Sequence, residues 1–353
     1  VIIKELTEIN GISGSEDNVR KYIIEKIKDF ADEITVDSIG NIIALKRGNS
    51  NKSKVMLSAH MDEVGLMVTG YSDGMIKFKP VGGIDERILP GKRVLIGDNA
   101  IPGIIGIKPI HMQERDDRGN NIKLKSMYID IGAENKEEAQ LKAPLGEYIA
   151  FLSEYTELGN DCIKAKALDD RVGCAILIEA LKYRYEFDLY ACFTVQEEVG
   201  LRGARVAAYS VKPDIAFVLE GTTCSDVPGV EEHSYSTLLG GGAALTIMDR
   251  TSYGDKALVD FLFSLAQING IKVQFKKTTT GGNDAGKIQM SGTGVKIAAI
   301  SVPCRYIHSP VSVMNKNDFK ACQKLILKAL NELNDEKCFN GFAMINGGGN
   351  INV

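Results

Sequence analysis

The sequence predicts an α/β protein: a mainly parallel sheet sandwiched by helices and interrupted by a small inserted β-barrel. Three observations predict it. Helical patterns and apolar strand-like runs alternate over residues 161–353, as expected of a sheet covered on both faces. Over residues 65–160 the texture changes to short apolar stretches broken at close intervals by Gly, Pro, Asn or Asp, the punctuation of a small barrel or sandwich. The length of 353 residues also exceeds that of one ordinary domain. Residues 1–64 and 161–353 are therefore read as the two parts of an α/β domain, and 65–160 as its insert.

Taken in order, GISGSEDNVRKYIIEKIKDFADEI predicts a helix, with Ser15 as N-cap and apolar residues recurring at Val19, Tyr22, Ile23, Ile27 and Phe30. ITVDSIGNIIALKRG alternates around a Ser-Ile-Gly-Asn turn and predicts a hairpin. KVMLSAH predicts a short strand ending at His60. Within the insert, QERDDRGNNIKLK (113–125) is charged and predicts an exposed loop, after which SMYIDIGA and GEYIAFLSEY resume the strands. Beyond it come a helix at GCAILIEALKY, strands at DLYACFTV and DIAFVLE, a helix at KALVDFLFSLAQING closed by Gly270, a strand at VKIAAISVP, and a final helix at DFKACQKLILKALNELN. The Gly-rich tail INGGGNINV predicts a frayed end.

The composition excludes several classes. A formal net charge of −4 offers no basic footprint for nucleic acid or an anionic membrane surface. No run of about 18 apolar residues occurs, so no membrane span is expected. The N-terminal segment has early acidic residues and no small-residue cleavage pattern, unlike a signal peptide. The seven cysteines are odd in number and form no CxxC pair, which predicts free thiols in a reducing cytoplasm rather than disulfides or a zinc ribbon.

The polar residues recur at one place. VMLSA is followed by His60 and Asp62, LYACFTV by Gln196, Glu197 and Glu198, DIAFVL by Glu220, and KIAAISVP by Arg305 and His308; Asp169 and Asp170 precede the helix GCAILIEALKY. In open α/β sheets ligands bind beyond the carboxyl ends of the strands. Each segment alone has an ordinary explanation, as a capped histidine, acidic residues at a helix start or a solvated turn. Together they predict one shared site. Two histidines with several carboxylates and no cysteine suit Zn²⁺, Mn²⁺ or Co²⁺. The set exceeds the needs of one open catalytic zinc and matches two metals sharing a carboxylate, which lie roughly 3.5–4 Å apart in such sites. His111 and His233 fall outside this pattern.

SAHMDEVG, KALDDRVG, QEEVGLRGA, LEGT and RYIHSP, in this order, resemble the co-catalytic metallo-aminopeptidases of the glutamyl, deblocking and tetrahedral aminopeptidase family. LTEINGISGSED, MYIDIGA, LGGGAALTIMDR and GGNDAG extend the resemblance over nearly the whole chain, with Asn283 where the family carries Thr. The resemblance implies a zinc-peptidase-like fold with a PDZ-like barrel as its assembly module. It implies His60 and Glu220 as ligands of one metal, Glu198 and His308 of the other, Asp169 as the bridge, Asp62 as the residue orienting His60, and Glu197 as general base. Glu63 is left without a ligand role. Also implied are two divalent ions per subunit, Zn²⁺ or Co²⁺, removal of N-terminal residues from short peptides, and a homo-oligomer, often a twelve-subunit tetrahedral shell. Two alternatives stay open: a two-metal deacylase or carboxypeptidase of the same fold, and a glycoside hydrolase. The second is disfavoured because the chain has no Trp for a sugar platform and two-carboxylate chemistry has no use for two histidines.

Overall fold

The computed structural model describes residues 2–49, 53–113, 120–335 and 341–342. The N-terminal part comprises α1 (Ile2–Glu8), α2 (Asp17–Ile27), β1 (Glu33–Val36), β2 (Ile42–Lys46) and β3 (Lys54–His60). The insert follows as β4 (Gly65–Ser72), β5 (Met75–Val81), β6 (Arg93–Ile96), β7 (Ile101–Ile107), β8 (Met127–Asp130), α3 (Lys136–Lys142) and β9 (Tyr148–Phe151). The chain then returns through β10 (Thr156–Leu158), β11 (Cys162–Ala165), α4 (Leu168–Ala180), β12 (Asp188–Thr194), α5 (Arg202–Val211) and β13 (Ile215–Thr223). It ends with β14 (Ala243–Thr246), α6 (Lys256–Ile268), β15 (Val273–Phe275), α7 (Ala285–Gln289), β16 (Lys296–Arg305), β17 (Ser312–Asn315) and α8 (Lys316–Glu332).

Eleven strands form one mixed sheet in the order β1-β2-β12-β3-β13-β16-β17-β11-β10, with β14 and β15 attached at β16. Parallel pairing holds the middle, β12-β3-β13-β16, and the flanks are antiparallel apart from β14 with β15. The middle strands read as unbroken apolar runs because both their faces are covered. Leu57, Phe193, Phe217 and Ile300 are fully buried; burying a side chain of this size contributes about 1.5–3 kcal/mol. α4, α6 and α8 pack on one face and α5 and α7 on the other.

The hairpin β1-β2 turns where expected, because the Asp37 carboxylate accepts from the amides of Ile39, Gly40 and Asn41, and Gly40 takes the positive φ of 104° that closes the turn. The helix expected from Ser15 starts at Asp17 instead. Ser15 lies in a turn onto the Ile12 carbonyl, and Glu16, next to the helix, gives its side chain to other partners. α1, α3, α5 and α7 had no reading in the sequence. α5 buries Gly203, Ala204, Ala207, Ala208 and Val211, a face of small residues opposite the exposed Arg202, Arg205 and Tyr209.

The insert is a closed barrel of six strands, β4-β5-β8-β7-β6-β9, around Leu66, Val68, Ile76, Val94, Ile105, Ile129 and Ile149. Closure removes the exposed edges that an open antiparallel sheet would present. β10 follows the barrel in sequence but pairs with β11 at the edge of the large sheet. Residues 114–119 of the charged 113–125 segment, the Gly-rich tail and Cys338 lie outside the described residues. Among the described residues no helix is long and apolar enough to cross a membrane.

Candidate metal centre

Parallel register brings the site together. Thr194 pairs with His60 and Val218 with Ser58, so Glu220, two residues past Val218, lies level with His60. Glu220 is within β13 rather than after it, because the strand continues to Thr223. α4 begins at the same end, where Asp169 and Asp170 hold non-helical backbone and share a cis peptide bond. Gly221 permits the close approach, since a Cβ there would stand 2.8 Å from the Asp169 Cα.

Asp169 lies between the two histidines. Its Oδ1 is 3.3 Å from His60 Nε2 and its Oδ2 3.7 Å from His308 Nε2. Glu220 Oε2 is 3.6 Å from His60 Nε2, and Glu198 Oε2 is 3.4 Å from His308 Nε2. His60 is 1% exposed and His308 43%, so one end of the cluster is sealed and the other opens to solvent. Behind His60, its Nδ1 is 3.0 Å from the Asp62 carbonyl and 3.4 Å from the Asp62 carboxylate. Asp170 accepts from the His60 and Gly173 amides and so fixes the backbone of both segments.

The adjacent glutamates are explained by a turn. Gln196 has a φ of +57°, which redirects the chain as β12 ends. The amides of Glu197 and Glu198 then both donate to Asp62, at 3.0 and 3.1 Å. Leu201, Tyr306 and His308 also have positive φ, so off-pattern backbone gathers in the segments flanking the site.

The electrostatics are one-sided. Among the described residues no Lys or Arg pairs with Asp169, Glu197, Glu198, Glu220 or Asp284. Burial raises Glu197, Glu220 and Asp170 well above the ordinary carboxylate range, against the pull of His60. Burial and Asp169 push Glu198 up to about 7, and burial pushes Asp284 up to about 6. Burial acts against protonated His60, yet Asp169 and Asp62 raise it well above 6.5. Burial also opposes the Asp62 carboxylate, but His60, Ser13 and the Glu197 amide hold it below its ordinary value. Asp169 Oδ1 and Glu220 Oε1 are buried without a hydrogen-bond partner. Buried carboxylate oxygens without donors are costly unless a cation balances them. Ligand atoms of His60, Asp169 and Glu198, and of His60, Asp170 and Glu220, lie within 4.8 Å of one another. The donor set and the unpartnered oxygens therefore fit divalent metal.

Sequence reasoning missed part of the surroundings. Ser13 donates to Asp62 at 2.5 Å, Glu16 accepts from the Gln196 amide, and Thr194 donates to Asp284 at 2.5 Å. The only prior signal of Ser13, Glu16 and Asp284 was membership of LTEINGISGSED and GGNDAG in the family resemblance, while Thr194 lay unremarked in the strand DLYACFTV. Asn283 donates to Asp249 and accepts from the Ala285 amide, tying two loops together. Glu63 is bound to Lys166 at 2.5 Å and to the Gly11 amide. The barrel also reaches the site: a Cβ at Gly83 would stand 3.4 Å from His308 Nδ1, and one at Gly82 3.3 Å from the Glu198 Cβ.

The chain is similar to known proteins over nearly its whole length. The family model for M42 glutamyl aminopeptidase matches residues 40–325. A putative aminopeptidase of Acetivibrio thermocellus is 40% identical over 332 residues, covering 93% of this chain and 97% of that protein. The TET aminopeptidase of the marine sediment archaeon Thaumarchaeota archaeon SCGC AB-539-E09 superposes with a TM-score of 0.93 at 34% identity, covering 97% and 98% of the two chains. The Pyrococcus horikoshii TET1 peptidase, described as able to assemble into a tetrahedron or a large octahedral shell, gives 0.82 at 36% identity over 93% and 98%.

Proposed function

The chain belongs to the M42 glutamyl aminopeptidase family and is a peptidase, and on that premise we propose that it removes the N-terminal residue from short peptides at a two-metal centre. The observation that carries the reading is the Asp169 carboxylate, with one oxygen toward His60 and the other toward His308. His60 with Glu220 would hold one divalent ion and Glu198 with His308 the second, Asp169 serving both; Zn²⁺ and Co²⁺ suit this set. Two such ions supply Lewis acidity, polarising the scissile carbonyl and making a water acidic near neutral pH.

The protein's own groups do the rest. Asp62 holds His60 in one ring orientation. Glu197 is buried beside the cluster, and burial raises its pKa; its carboxylate form, which can act as base, would be favoured by divalent ions bound next to it. It takes the proton of the attacking water and returns it to the departing amine nitrogen. The acidic surroundings hold the substrate's α-ammonium, which restricts cleavage to the first peptide bond. A sugar hydrolase would leave His60 and His308 without a task. A deacylase or carboxypeptidase would call for a cation at the substrate's carboxylate, and no pairing in the cluster supplies one.

We further infer a homo-oligomer assembled through the barrel, as the relation to TET peptidases suggests, and a cytoplasmic location, which the six described cysteines, all free and five of them buried, support. The test is a panel of aminoacyl-anilides on metal-stripped enzyme with single metals added back, run beside N-blocked analogues. Turnover of free-amine substrates that returns with Zn²⁺ or Co²⁺ is expected; equal turnover of blocked substrates would overturn the aminopeptidase reading. Light scattering at micromolar concentration tests the assembly, which a monomer would refute.

A further inference from the structure

The turn carrying Glu197 and Glu198 is held on its amide side by carboxylates alone. Three consecutive N–H groups donate to them: Gln196 to Glu16 Oε1 at 3.1 Å, Glu197 to Asp62 Oδ1 at 3.0 Å, and Glu198 to Asp62 Oδ2 at 3.1 Å. On the carbonyl side the turn closes on itself through the amides of Gly200, Leu201 and Arg202. Gln196, with its positive φ, is the residue where the chain changes direction. A non-glycine residue in that conformation persists only where its surroundings hold it.

Asp62 has a second duty toward His60. Glu16 has no part in the chemistry, and it is not a helix cap either. It precedes α2 but makes no side-chain bond to the first amides of that helix. It is 3% exposed, and its Oε1 also accepts from the Gly14 amide at 2.8 Å. Burial pushes the Glu16 carboxyl up to about 7, and its bonds to the Gly14 and Gln196 amides offset part of that cost. The loop that carries it has little slack. Ser13 is bonded to Asp62, and a Cβ at Gly14 would stand 2.8 Å from the Tyr148 hydroxyl oxygen of the barrel.

We infer that Glu16 is a positioning residue: it fixes Gln196 from the N-terminal loop and thereby aims the Glu197 carboxylate. The inference rests on the reading of Glu197 as the base. Moving a reacting group by about 1 Å can cost about a hundredfold in rate, so the effect belongs in kcat rather than KM.

The experiment compares Glu16→Gln, Glu16→Ala and Glu16→Asp in the full-length enzyme by kcat, KM and metal content, with amide hydrogen exchange at residues 194–200 measured on metal-free protein. Gln keeps the acceptor oxygen, and kcat is expected within about threefold of the parent. Ala should lose about 10–100-fold in kcat with KM and metal content little changed. Its Gln196 amide should exchange faster by about tenfold or more. Asp, one methylene short, should behave like Ala and carries the test if the Ala variant does not fold. Parental kcat and unchanged exchange in the Ala variant, or in Asp where Ala does not fold, would overturn the inference. So would a Gln variant as impaired as Ala, since charge rather than the bond would then matter. Full activity of Glu197→Gln would sink the base reading alone, while the exchange data would still decide the part played by Glu16.

Discussion

The barrel and the sheet domain solve folding in opposite ways. From Gly65 to Phe151 no described residue is both buried and polar or charged; the interior is Leu66, Val68, Ile76, Ile129, Ile149 and their like. The sheet domain buries His60, Asp62, Glu63, Lys166, Asp170, Arg171, Glu197, Glu220, Asp284 and Asp318. Some of these are satisfied in place. Arg171 donates to the carbonyls of Leu6, Ile9, Gly11 and Met61, and Asp318 accepts from Gly240 and Gly242. Asp169 Oδ1 and Glu220 Oε1, beside His60, have no hydrogen-bond partner. The barrel is complete as folded, whereas the site region carries an electrostatic deficit that bound protons or a cation would offset.

In descending order of effect on turnover, the first break is Glu197→Gln. It should lower kcat by about 10²–10⁴-fold while metal content stays at the parental value; full turnover would remove Glu197 as base. The second is His308→Ala, which should bring bound metal to near one per chain in elemental analysis and cost about a hundredfold in kcat. Two retained ions would show the ligand set to be wrong.

The third sharpens the contrast from the barrel side. Ile129→Ala removes a fully buried side chain of the barrel core and should cost about 2–5 kcal/mol in denaturant unfolding. Turnover of the folded enzyme should stay within about twofold, as expected of a distant, independent position. A larger kcat loss would show that the Gly82–Gly83 wall depends on the barrel interior. The fourth leaves turnover aside. Glu198 and Asp284 have folded-state pKa values of about 7 and about 6, against ordinary values of 4.5 and 3.8. Both bind protons more tightly when folded, so metal-stripped protein should lose stability as pH rises from about 4 to about 7. Metal should flatten that slope. Chelated protein melting higher at pH 8 than at pH 5 would contradict the deficit.

What was legible in the sequence follows the same division. β3, β12, β13 and β16 were readable because both faces of a central strand must be apolar. His60, Glu198, Glu220 and His308 were readable because they break such runs at one end. The barrel announced itself through closely spaced turn residues. The local start of α2 was misread at Ser15, which sits in a turn onto the Ile12 carbonyl, while Glu16 at the cap position gives its carboxylate to Gly14 and Gln196 instead of the helix. α5 escaped notice because its buried face is built of Gly, Ala and Val rather than large apolar residues, although Arg205 and Tyr209 mark a clear opposite face. Glu16 and Asp284 stood in segments of the family resemblance, but their contacts were not readable, for a stronger reason. What distinguishes them is a partner more than 80 residues away, and only the three-dimensional register supplies it.

The clamp on the Gln196 turn has a consequence for synthesis. Glu16 meets its partner 180 residues later in the chain, and Asp62 meets Glu197 after 135. Ribosomes extend a chain at about 5–20 residues per second and domains generally fold as units as they emerge. The barrel, whose strand pairs all lie between residues 65 and 151, can close while the N-terminal loop still waits for residues not yet made. Contacts so far apart in sequence form slowly. Glu198 follows the end of the barrel by 47 residues, and His308 by 157, so the barrel can be finished seconds or more before the site has all its parts.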